Sequence, residues 1–389
     1  MLTKPCYLLL PVITCALACS DAPTAIEDDL LPYEYVVPPE TGDGWTTASL
    51  ADVGLAEDRF VQLIDIIRTG TYANIHGIVV VKDHRLVFEE YFDGLAFRAA
   101  VGTRVVGNWK HFDRAQPHNL ASATKSITST ILGIAIDKGF VSSVDTAVYD
   151  FFPEYSQFRD ARKDSITLQH MLTMTSGLDW DESTCTYGQI CNDINALFSQ
   201  ADPVRYILAK AAVDPPGERW LYNGGGTNVL GQVVRKASGQ TLEEFANEHL
   251  FGPLGISPPI WIHLAGPMTY ASGDLKLRPR DMAKIGYIFA NDGQWNGQQI
   301  ISPEWIAEST QHRKQTWDPR WGYGYQWWLF DYPANGRTYR SFGARGWGGQ
   351  IITVFPDLDM VVVLTGGNYL TPDPTDAVIR QFVLDALIP

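Results

Sequence analysis

The chain has 389 residues, of which 45% are hydrophobic and 12% aromatic, and its formal net charge at pH 7 is −14. This length and apolar content are enough to bury a large core, in one big domain or in two closely joined lobes. The negative charge, without any run of basic residues, excludes nucleic acid and anionic membrane surfaces as general partners.

The N-terminus has the features of an export signal. Lys4 precedes an apolar stretch that ends at Ala18 and is too short to span a bilayer as a helix. The stretch closes with Ala16-Leu17-Ala18, the small-x-small pattern of a cleavage site. We therefore predict a signal peptide over residues 1–18 and an exported bacterial protein, either periplasmic or anchored to the membrane as a lipoprotein.

Cys19 follows the predicted cleavage site directly, as in bacterial lipoprotein signals in which that thiol is lipidated. Lipidation of Cys19 and simple secretion both stay open at this point. The polar segment over residues 19–50 is predicted to be a tether. Residues 51–389 are predicted to form the folded domain.

Strand and helix patterns alternate along this domain. Apolar residues at helical spacing predict a helix over residues 55–68, and two β-rich runs around the polar turn at 82–84 predict a hairpin. The run from Ser122 to Gly139 predicts a strong helix, and helix-and-loop sequence continues through the middle of the chain. Two β-rich runs, "GGQIITVFP" and "MVVVLTGG", then precede a closing helix over about 375–387.

Strand signals therefore sit at both ends of the domain and helix signals in its middle. This order predicts an α+β fold in which both chain ends build one antiparallel sheet flanked by helices. A mainly helical lobe, roughly residues 105–310, is inserted between the two sets of strands. Ligand sites favour the seam between such lobes.

Two cysteines of the domain form a candidate disulfide. Cys185 and Cys191 lie six residues apart in "CTYGQIC", and an oxidising compartment favours a local disulfide between them. The alternative, a metal site, lacks nearby histidines, because the next one upstream is His170.

Several common kinds of catalytic site are excluded by their missing motifs. The chain has no G-x-S-x-G elbow, no H-E-x-x-H, no phosphate-binding G-x-x-x-x-G-K-[ST] loop and no clustered Cys/His ligands. We therefore expect neither a metal nor a cofactor.

The stretch "NLASATKSITSTILG" places Ser122 and Lys125 one turn apart at the start of the predicted helix. The positive end of the helix dipole would lie at the serine, and a lysine that accepts its proton would make the serine a nucleophile. The same residues would also fit a helix cap followed by a solvated lysine. This spacing alone leaves both interpretations open.

Two further segments favour the catalytic interpretation. Tyr222 precedes three glycines at the entrance of a helix in "RWLYNGGGTNVLG", a place from which its phenol can enter a cleft beside the ammonium. The glycine-rich start of the strand in "SFGARGWGGQIITVFP" permits close backbone approach and can offer an N–H group to an oxyanion. A core tyrosine and a plain glycine-rich turn are the simpler alternatives.

Taken together, these segments resemble the serine hydrolases related to class C β-lactamases. That superfamily includes D,D-peptidases, family VIII esterases and 6-aminohexanoate-oligomer hydrolases, and its fold is the β-lactamase/transpeptidase-like fold. The resemblance covers nearly all of the chain from about Gly77 onward. Four blocks in the same order carry it: "SATKSITSTILGIAIDKG", "ITLQHMLTMTSGLDWDE", "PPGERWLYNGGGTNVLG" and "RPRDMAKIGYIFANDGQWNGQQII".

The resemblance implies a role for each matching residue. Ser122 is similar to the acylated nucleophile, Lys125 to its proton acceptor, and Tyr222 to the tyrosine of the Y-x-N motif, which is general base and then general acid. The backbone N–H groups of Ser122 and Trp347 would form the oxyanion hole. Ser126, although it adjoins the lysine, is not the expected nucleophile.

The chain departs from the family pattern at two motif positions. The Asn of Y-x-N falls on Gly224, unless Asn223 replaces it through a shifted turn. The basic residue of the third motif falls on Ala344, followed by Arg345 and Gly346. Arg345 is a candidate to replace that charge, but on a strand its side chain should point away from the side of Ala344.

Other residues are candidates to contact substrate. Asp181 is a candidate contact for a charged end of the substrate. The candidates to line an aromatic cleft are Trp180, Tyr187, Trp220 and Trp347.

The sequence thus predicts an exported serine hydrolase that cleaves a small ester or amide through an acyl-enzyme. One alternative is a β-lactamase or D,D-carboxypeptidase, which the two motif departures argue against. An alternative of another class is a binding protein without turnover, which the intact Ser122, Lys125 and Tyr222 argue against.

Overall fold

Strands come from both ends of the chain and helices from its middle in the computed structural model, which describes residues 31–101 and 104–388. The strands are β1 (Ile75–Lys82), β2 (Arg85–Tyr91), β3 (Asp93–Val101), β4 (Arg104–His111), β5 (His118–Asn119), β6 (Lys276–Leu277), β7 (Gln294–Trp295), β8 (Gln298–Gln299), β9 (Lys314–Gln315), β10 (Gly322–Tyr323), β11 (Trp328–Ala334), β12 (Arg337–Gly346), β13 (Gln350–Phe355) and β14 (Met360–Gly366). The α-helices are α1 (Glu57–Arg68), α2 (Thr124–Asp137), α3 (Leu168–Leu172), α4 (Asp193–Leu197), α5 (Pro203–Leu208), α6 (Gly224–Ser238), α7 (Leu242–Ala246), α8 (Pro279–Ala290), α9 (Pro303–Ser309) and α10 (Thr375–Val378).

Eight strands form one antiparallel sheet in the order β2-β1-β14-β13-β12-β11-β10-β9. The two chain ends meet where β1 pairs with β14, with Val79 opposite Val363. Both strands are continuous apolar runs because both of their faces are covered, with α8 packed on β1, β13 and β14. The predicted sheet built from both chain ends is confirmed.

The helical lobe begins later than predicted. Residues 104–111 are β4, which pairs with β3 in a two-stranded sheet, so the lobe starts near Ala121 rather than at 105. Its central helix, α2, is buried over its first twelve residues and packs against α6. Several of its buried residues are polar, and their hydroxyls donate to backbone carbonyls, as Ser126 does to Gln326 and Thr128 to Ala271.

The folded unit begins at Tyr35, so the predicted tether over residues 19–50 is too long. The Tyr35 hydroxyl donates to the carbonyl of Val87 over 2.7 Å. Trp45 is buried in the core, and its indole N–H donates to the carbonyl of Arg280 over 3.3 Å. These two aromatic residues attach a polar segment to the domain. The predicted signal peptide and Cys19 lie outside the described residues.

Cys185 and Cys191 are joined as a disulfide that closes the loop between α3 and α4.

None of the helices in the described part of the chain is both long and apolar enough to cross a bilayer.

Two buried imidazoles lie side by side beneath the β3–β4 hairpin. Nδ1 of His76 lies 2.8 Å from Nε2 of His118, and Nδ1 of His118 lies 3.1 Å from the carbonyl oxygen of Asn119. Since a carbonyl only accepts, His118 carries its proton on Nδ1, and His76 donates to His118 through its own Nδ1–H. Burial lowers the pKa of His118 to about 4 and that of His76 to about 2, so both rings are neutral.

This histidine pair predicts acid sensitivity. The folded-state pKa values lie below the unfolded value near 6.5, so the stability that the neutral pair contributes is complete above pH 6.5 and declines as pH falls toward 4. By pH 4.5 His118 alone accounts for a loss of roughly 2 to 3 kcal/mol in the free energy of unfolding. Urea denaturation at pH 7.5 and 4.5 measures this loss.

The double variant His76→Phe/His118→Leu should lose less free energy of unfolding between the two pH values, whatever its stability at pH 7.5. His111→Gln is the control, because His111 is exposed, with a hydrogen bond to Asp93, and its loss should match that of the wild type. An equal loss in the double variant and the wild type would contradict the prediction.

Candidate active site

Ser122 lies in a strained turn before α2. The turn is a single 3₁₀ turn over Ala121–Ala123, and Ala121 has a left-handed φ of +44°. The amide oxygen of Asn119 accepts the N–H of Ala121 over 2.7 Å, and the amide nitrogen of Asn119 donates to Asp274 over 2.9 Å. Strain of this kind persists only where the surrounding contacts enforce it, and these hydrogen bonds do so.

Lys125 joins the serine to two other parts of the lobe. The lysine is 2% exposed, and its ammonium lies 3.2 Å from the hydroxyl of Ser122 and 2.8 Å from the carbonyl oxygen of Ser272. The same ammonium lies 4.8 Å from the ring centroid of Tyr222. The structure therefore brings Ser122, Lys125 and Tyr222 together from separate segments.

Ser126 does not take part in this group, because its hydroxyl donates to the carbonyl of Gln326 over 2.6 Å.

Asn223 caps helix α6. Its side-chain oxygen accepts the N–H of Gly226 over 2.9 Å at the start of α6, and the residue is buried. Its side-chain nitrogen, Nδ2, is buried without a hydrogen-bond partner in the described structure, so the substrate contact predicted for Asn223 stays a prediction. Gly224, the first residue of α6, presents no side chain to the site.

Gly346 permits the sheet to touch the serine turn. A Cβ atom at this position would lie 2.1 Å from the carbonyl oxygen of Leu120 and 3.1 Å from the backbone nitrogen of Ala123. Only glycine allows this approach. It places Trp347 beside Ser122, and both residues line one cavity.

Arg345 points away from this cavity, so its assignment as a substrate contact is corrected. Its guanidinium donates to Asp376 over 2.8 Å and lies over the rings of Trp321 and Phe330. Ala344, on the opposite side of β12, is fully buried in the core. The alternation along a strand explains the outcome. The cation expected in the third motif is absent from the cleft among the described residues.

Asp181 organises a loop and does not line the cavity, in contrast to its prediction as a substrate contact. Its carboxylate accepts the N–H groups of Thr184 and Ser183 over 2.8 and 2.9 Å, and these bonds lower its pKa to about 2. The neighbouring Glu182, which the sequence analysis did not single out, faces the start of α6. It accepts the N–H of Gly224 over 2.5 Å.

The cavity beside Ser122 has a volume of about 400 Å³ and a largely aromatic wall. Of the predicted aromatic candidates, Tyr187 and Trp347 line it, whereas Trp180 is buried behind the start of α6 and Trp220 stacks near Trp317. The remaining wall residues come from several segments of the chain, and most of them belong to no motif. They are Phe97, Asn119, Ala121, Gly188, Ile194, Asn195, Phe198, Tyr270, Gly273, Asp274 and Tyr369.

No group of three or more His, Cys, Asp or Glu side chains within the described ranges is placed to hold a metal ion.

Comparison with known proteins decides the family. Residues 66–386 match the model of the Beta-lactamase family. The chain belongs to the Beta-lactamase family. This membership confirms the resemblance to β-lactamase-related proteins found in the sequence.

The relatives of this Beta-lactamase family member include hydrolases and acyltransferases. Monacolin J acid methylbutanoyltransferase of Aspergillus terreus is 31% identical over 209 residues, which cover 48% of this chain and 49% of the relative. The chain thus spans about half the length of this curated acyltransferase. The 6-aminohexanoate-dimer hydrolase of Paenarthrobacter ureafaciens is 22% identical over 303 residues, 72% of this chain and 73% of that enzyme.

A solved structure of a family VIII carboxylesterase shares the fold with a TM-score of 0.65 at 18% identity, covering 86% of this chain and 98% of that one. A penicillin-binding protein homologue from Caulobacter crescentus gives a TM-score of 0.64 at 19% identity, covering 85% and 99%. The β-lactamase/transpeptidase-like fold is confirmed.

The contact at Gly346 predicts that adding one methyl group there, in Gly346→Ala, strongly lowers the rate of ester hydrolysis. In Gly346→Ala the new Cβ would meet the carbonyl of Leu120, so β12 must move away from the Ser122 turn. We expect hydrolysis of p-nitrophenyl butyrate to lose about 10²- to 10³-fold in kcat, the cost of misplacing one backbone donor. Thr338→Ala, at an exposed position of the same strand, is the control and should keep wild-type activity. A kcat within threefold of wild type in Gly346→Ala would contradict the prediction.

Proposed function

We propose that the protein is an exported serine hydrolase that cleaves a small ester or amide through a Ser122 acyl-enzyme. One observation carries the proposal: the hydroxyl of Ser122, which lines an aromatic cavity, lies 3.2 Å from Nζ of Lys125, and this Nζ lies 4.8 Å from the centroid of the Tyr222 ring. A serine becomes a strong nucleophile when a base within hydrogen-bond reach accepts its proton. The cavity is large enough for a small acyl group.

The reaction has two steps, acylation of Ser122 and hydrolysis of the acyl-enzyme. Ser122 attacks the substrate carbonyl while Lys125, as a neutral amine, and Tyr222 take up the hydroxyl proton. The N–H groups of Ser122 and Trp347 stabilise the oxyanion, and the proton passes through Tyr222 to the departing alcohol or amine. Water then attacks the acyl-enzyme, gives one proton to the same residues, and releases the acid as the Ser122 hydroxyl re-forms.

The motif departures favour neutral esters and amides over β-lactams and peptides. A substrate carboxylate is best held by a cation with hydrogen bonds. Ala344 cannot supply one, and Arg345 is already paired with Asp376. Gly224 cannot supply the amide of the Y-x-N motif. A β-lactamase or D,D-carboxypeptidase is therefore the weaker candidate.

Acyl transfer is a second candidate activity, favoured by an aromatic surface beside Tyr222. The ring of Trp328 lies 6.0 Å from that of Tyr222, and Trp317, which is 70% exposed, lies 5.6 Å from Trp328 and 4.9 Å from Trp220. Such a surface can hold an alcohol that competes with water for the acyl-enzyme. Relatives named as acyltransferases support this candidate.

The catalytic assignment predicts a graded loss of activity. Ser122→Ala should abolish labelling by a fluorophosphonate probe and lower the kcat/KM for p-nitrophenyl butyrate by at least about 10³-fold. Tyr222→Phe should lose about 10²- to 10⁴-fold, because the ring stays and the proton carrier goes. Ester turnover and probe labelling measure both effects.

Ser126→Ala is the matched control, since its hydroxyl bonds the carbonyl of Gln326 and faces no substrate in this mechanism. A chromogenic cephalosporin tests the alternative substrate class. If the wild type neither labels nor turns over any of these compounds, the protein is not a hydrolase. If the cephalosporin is the preferred substrate, the β-lactamase alternative replaces the esterase.

Export is part of the proposal and rests on the N-terminal sequence. The predicted cleavage pattern at Ala16-Leu17-Ala18 and the following Cys19 support a lipoprotein. In a bacterial host, the full chain should partition with membranes, and Cys19→Ser should release it to the periplasmic fraction. Cell fractionation measures this shift. Recovery of the wild type in the cytoplasm, with residues 1–18 intact, would contradict export.

A further inference from the structure

At Gly224, where the Y-x-N motif would have an Asn side chain, the neighbouring space is occupied by the side chain of Glu182. A Cβ atom on Gly224 would lie 3.1 and 3.2 Å from the two carboxylate oxygens of Glu182, and 2.8 Å from the terminal methyl group of Ile194. Gly224 is the position at which the Y-x-N motif carries its Asn. The carboxylate of Glu182 thus lies within contact distance of the place where that side chain would begin.

Three donors fix the Glu182 carboxylate. Oε2 accepts the N–H of Gly224 over 2.5 Å and the indole N–H of Trp180 over 2.7 Å, and Oε1 accepts the hydroxyl of Tyr187 over 3.3 Å. The 15-residue helix α6 starts at Gly224 and directs the positive end of its dipole toward this anion. Burial, followed by the charge of Glu182, raises the pKa of Tyr187, so its phenol stays protonated and donates.

Glu182 does not itself line the cavity, but it lies directly behind the wall residue Tyr187. Glu182 bonds the backbone two residues after Tyr222, and its partner Tyr187 lies on the cavity wall with its ring centroid 5.5 Å from that of Trp347. The disulfide between Cys185 and Cys191 closes the same loop.

The described residues around the cavity offer little positive charge to balance the carboxylate of Glu182. The cavity wall includes the carboxylate of Asp274, and none of its described residues is Lys, Arg or His. Arg345 is neutralised by Asp376 on the far side of β12. Lys125 is the basic side chain at the serine, where the proposed mechanism uses it as a proton acceptor. Charges at short range in a partly desolvated cleft interact strongly enough to select among substrates.

We propose that Glu182 is a specificity-determining residue: it takes over, from the loop, the place beside Tyr222 that the family gives to an Asn amide, and its negative charge selects neutral and cationic substrates against anionic ones. An amide can donate to a substrate carbonyl, whereas a carboxylate only accepts. This inference rests on the proposed hydrolase function and names its substrate class.

Glu182→Gln tests the charge with little change in shape. The Gln oxygen can accept from Gly224 and Trp180, while its NH₂ faces the Tyr187 hydroxyl, which can accept. Three butyryl thioesters share the acyl group and differ in the charge of the thiol: thiocholine (cationic), 3,3-dimethylbutanethiol (neutral, of the same shape) and 2-mercaptoethanesulfonate (anionic). Thiol release gives the kcat/KM of each.

In Glu182→Gln the kcat/KM for the anionic ester relative to the neutral ester should rise about tenfold, and the cationic-to-neutral ratio should fall about as much. Asp181→Asn is the matched control, because it removes a charge one residue away whose carboxylate bonds only Ser183 and Thr184 of its own loop in the described structure. Its ratios should equal those of the wild type. A merely structural role of Glu182 would change all three esters together.

The shared space gives a second test. Gly224→Asn places a side chain against the Glu182 carboxylate and should lose at least tenfold in kcat/KM for the neutral ester. Glu182→Ala empties that space, so the double variant should exceed Gly224→Asn alone by at least tenfold. Contacting residues show such non-additive effects. Thermal melting confirms that each variant is folded.

The outcomes separate the two proposals. If the wild type hydrolyses the neutral thioester, with loss of activity in Ser122→Ala, but Glu182→Gln changes both ratios by less than twofold, the Glu182 assignment is wrong. An additive double variant would remove the shared-space argument. If the wild type hydrolyses none of the three thioesters, the proposed function fails and the Glu182 assignment fails with it.

Discussion

The close approach of Gly346 to the carbonyl of Leu120 is the contact on which the site depends, because it joins the sheet to the helical lobe at the serine. Gly346 ends β12, which belongs to the C-terminal part of the chain, while Leu120 leads into the Ser122 turn more than 200 residues earlier. A side chain here would separate the two backbones. The hydrogen bonds of Asn119 then hold the left-handed Ala121 in place and so fix the backbone that leads into Ser122.

A buried network of hydrogen bonds connects the serine turn to the rest of the helical lobe. Lys125 on α2 donates to the carbonyl of Ser272, and Asn228 on α6 donates to the Ser272 hydroxyl over 2.9 Å and accepts the N–H of Ala271. Buried polar groups are costly when unpaired, so these bonds specify how α2, α6 and the 271–274 segment meet. The arrangement of Lys125 and Tyr222 is therefore a property of the packed lobe.

The sequence predicted those features that depend on local pattern. The β-rich runs of β1, β13 and β14 and the apolar run of α2 gave the sheet and the central helix, and the order of Ser122, Lys125 and Tyr222 gave the family. Partners distant in the chain were not predictable: Asp376 for Arg345, Arg280 for Trp45, and Gly224 for Glu182. Each depends on packing that no period or spacing encodes. The helix cap formed by Asn223 was not predicted, because the residue was assigned from its place beside the Y-x-N motif.

Glu182 illustrates that a motif can lack a residue while another residue occupies the same place in the site. A motif records which residue supplies a group, whereas chemistry depends on which atoms occupy a place. At Gly224 the place is shared with a carboxylate from a disulfide-closed loop, and at Ala344 the cation is lost with no replacement facing the cleft among the described residues. Both departures move the charge of the cleft in the same direction. In the proposed hydrolase, the intact Ser122 keeps the reaction, while the missing cation and the added carboxylate change which substrates bind.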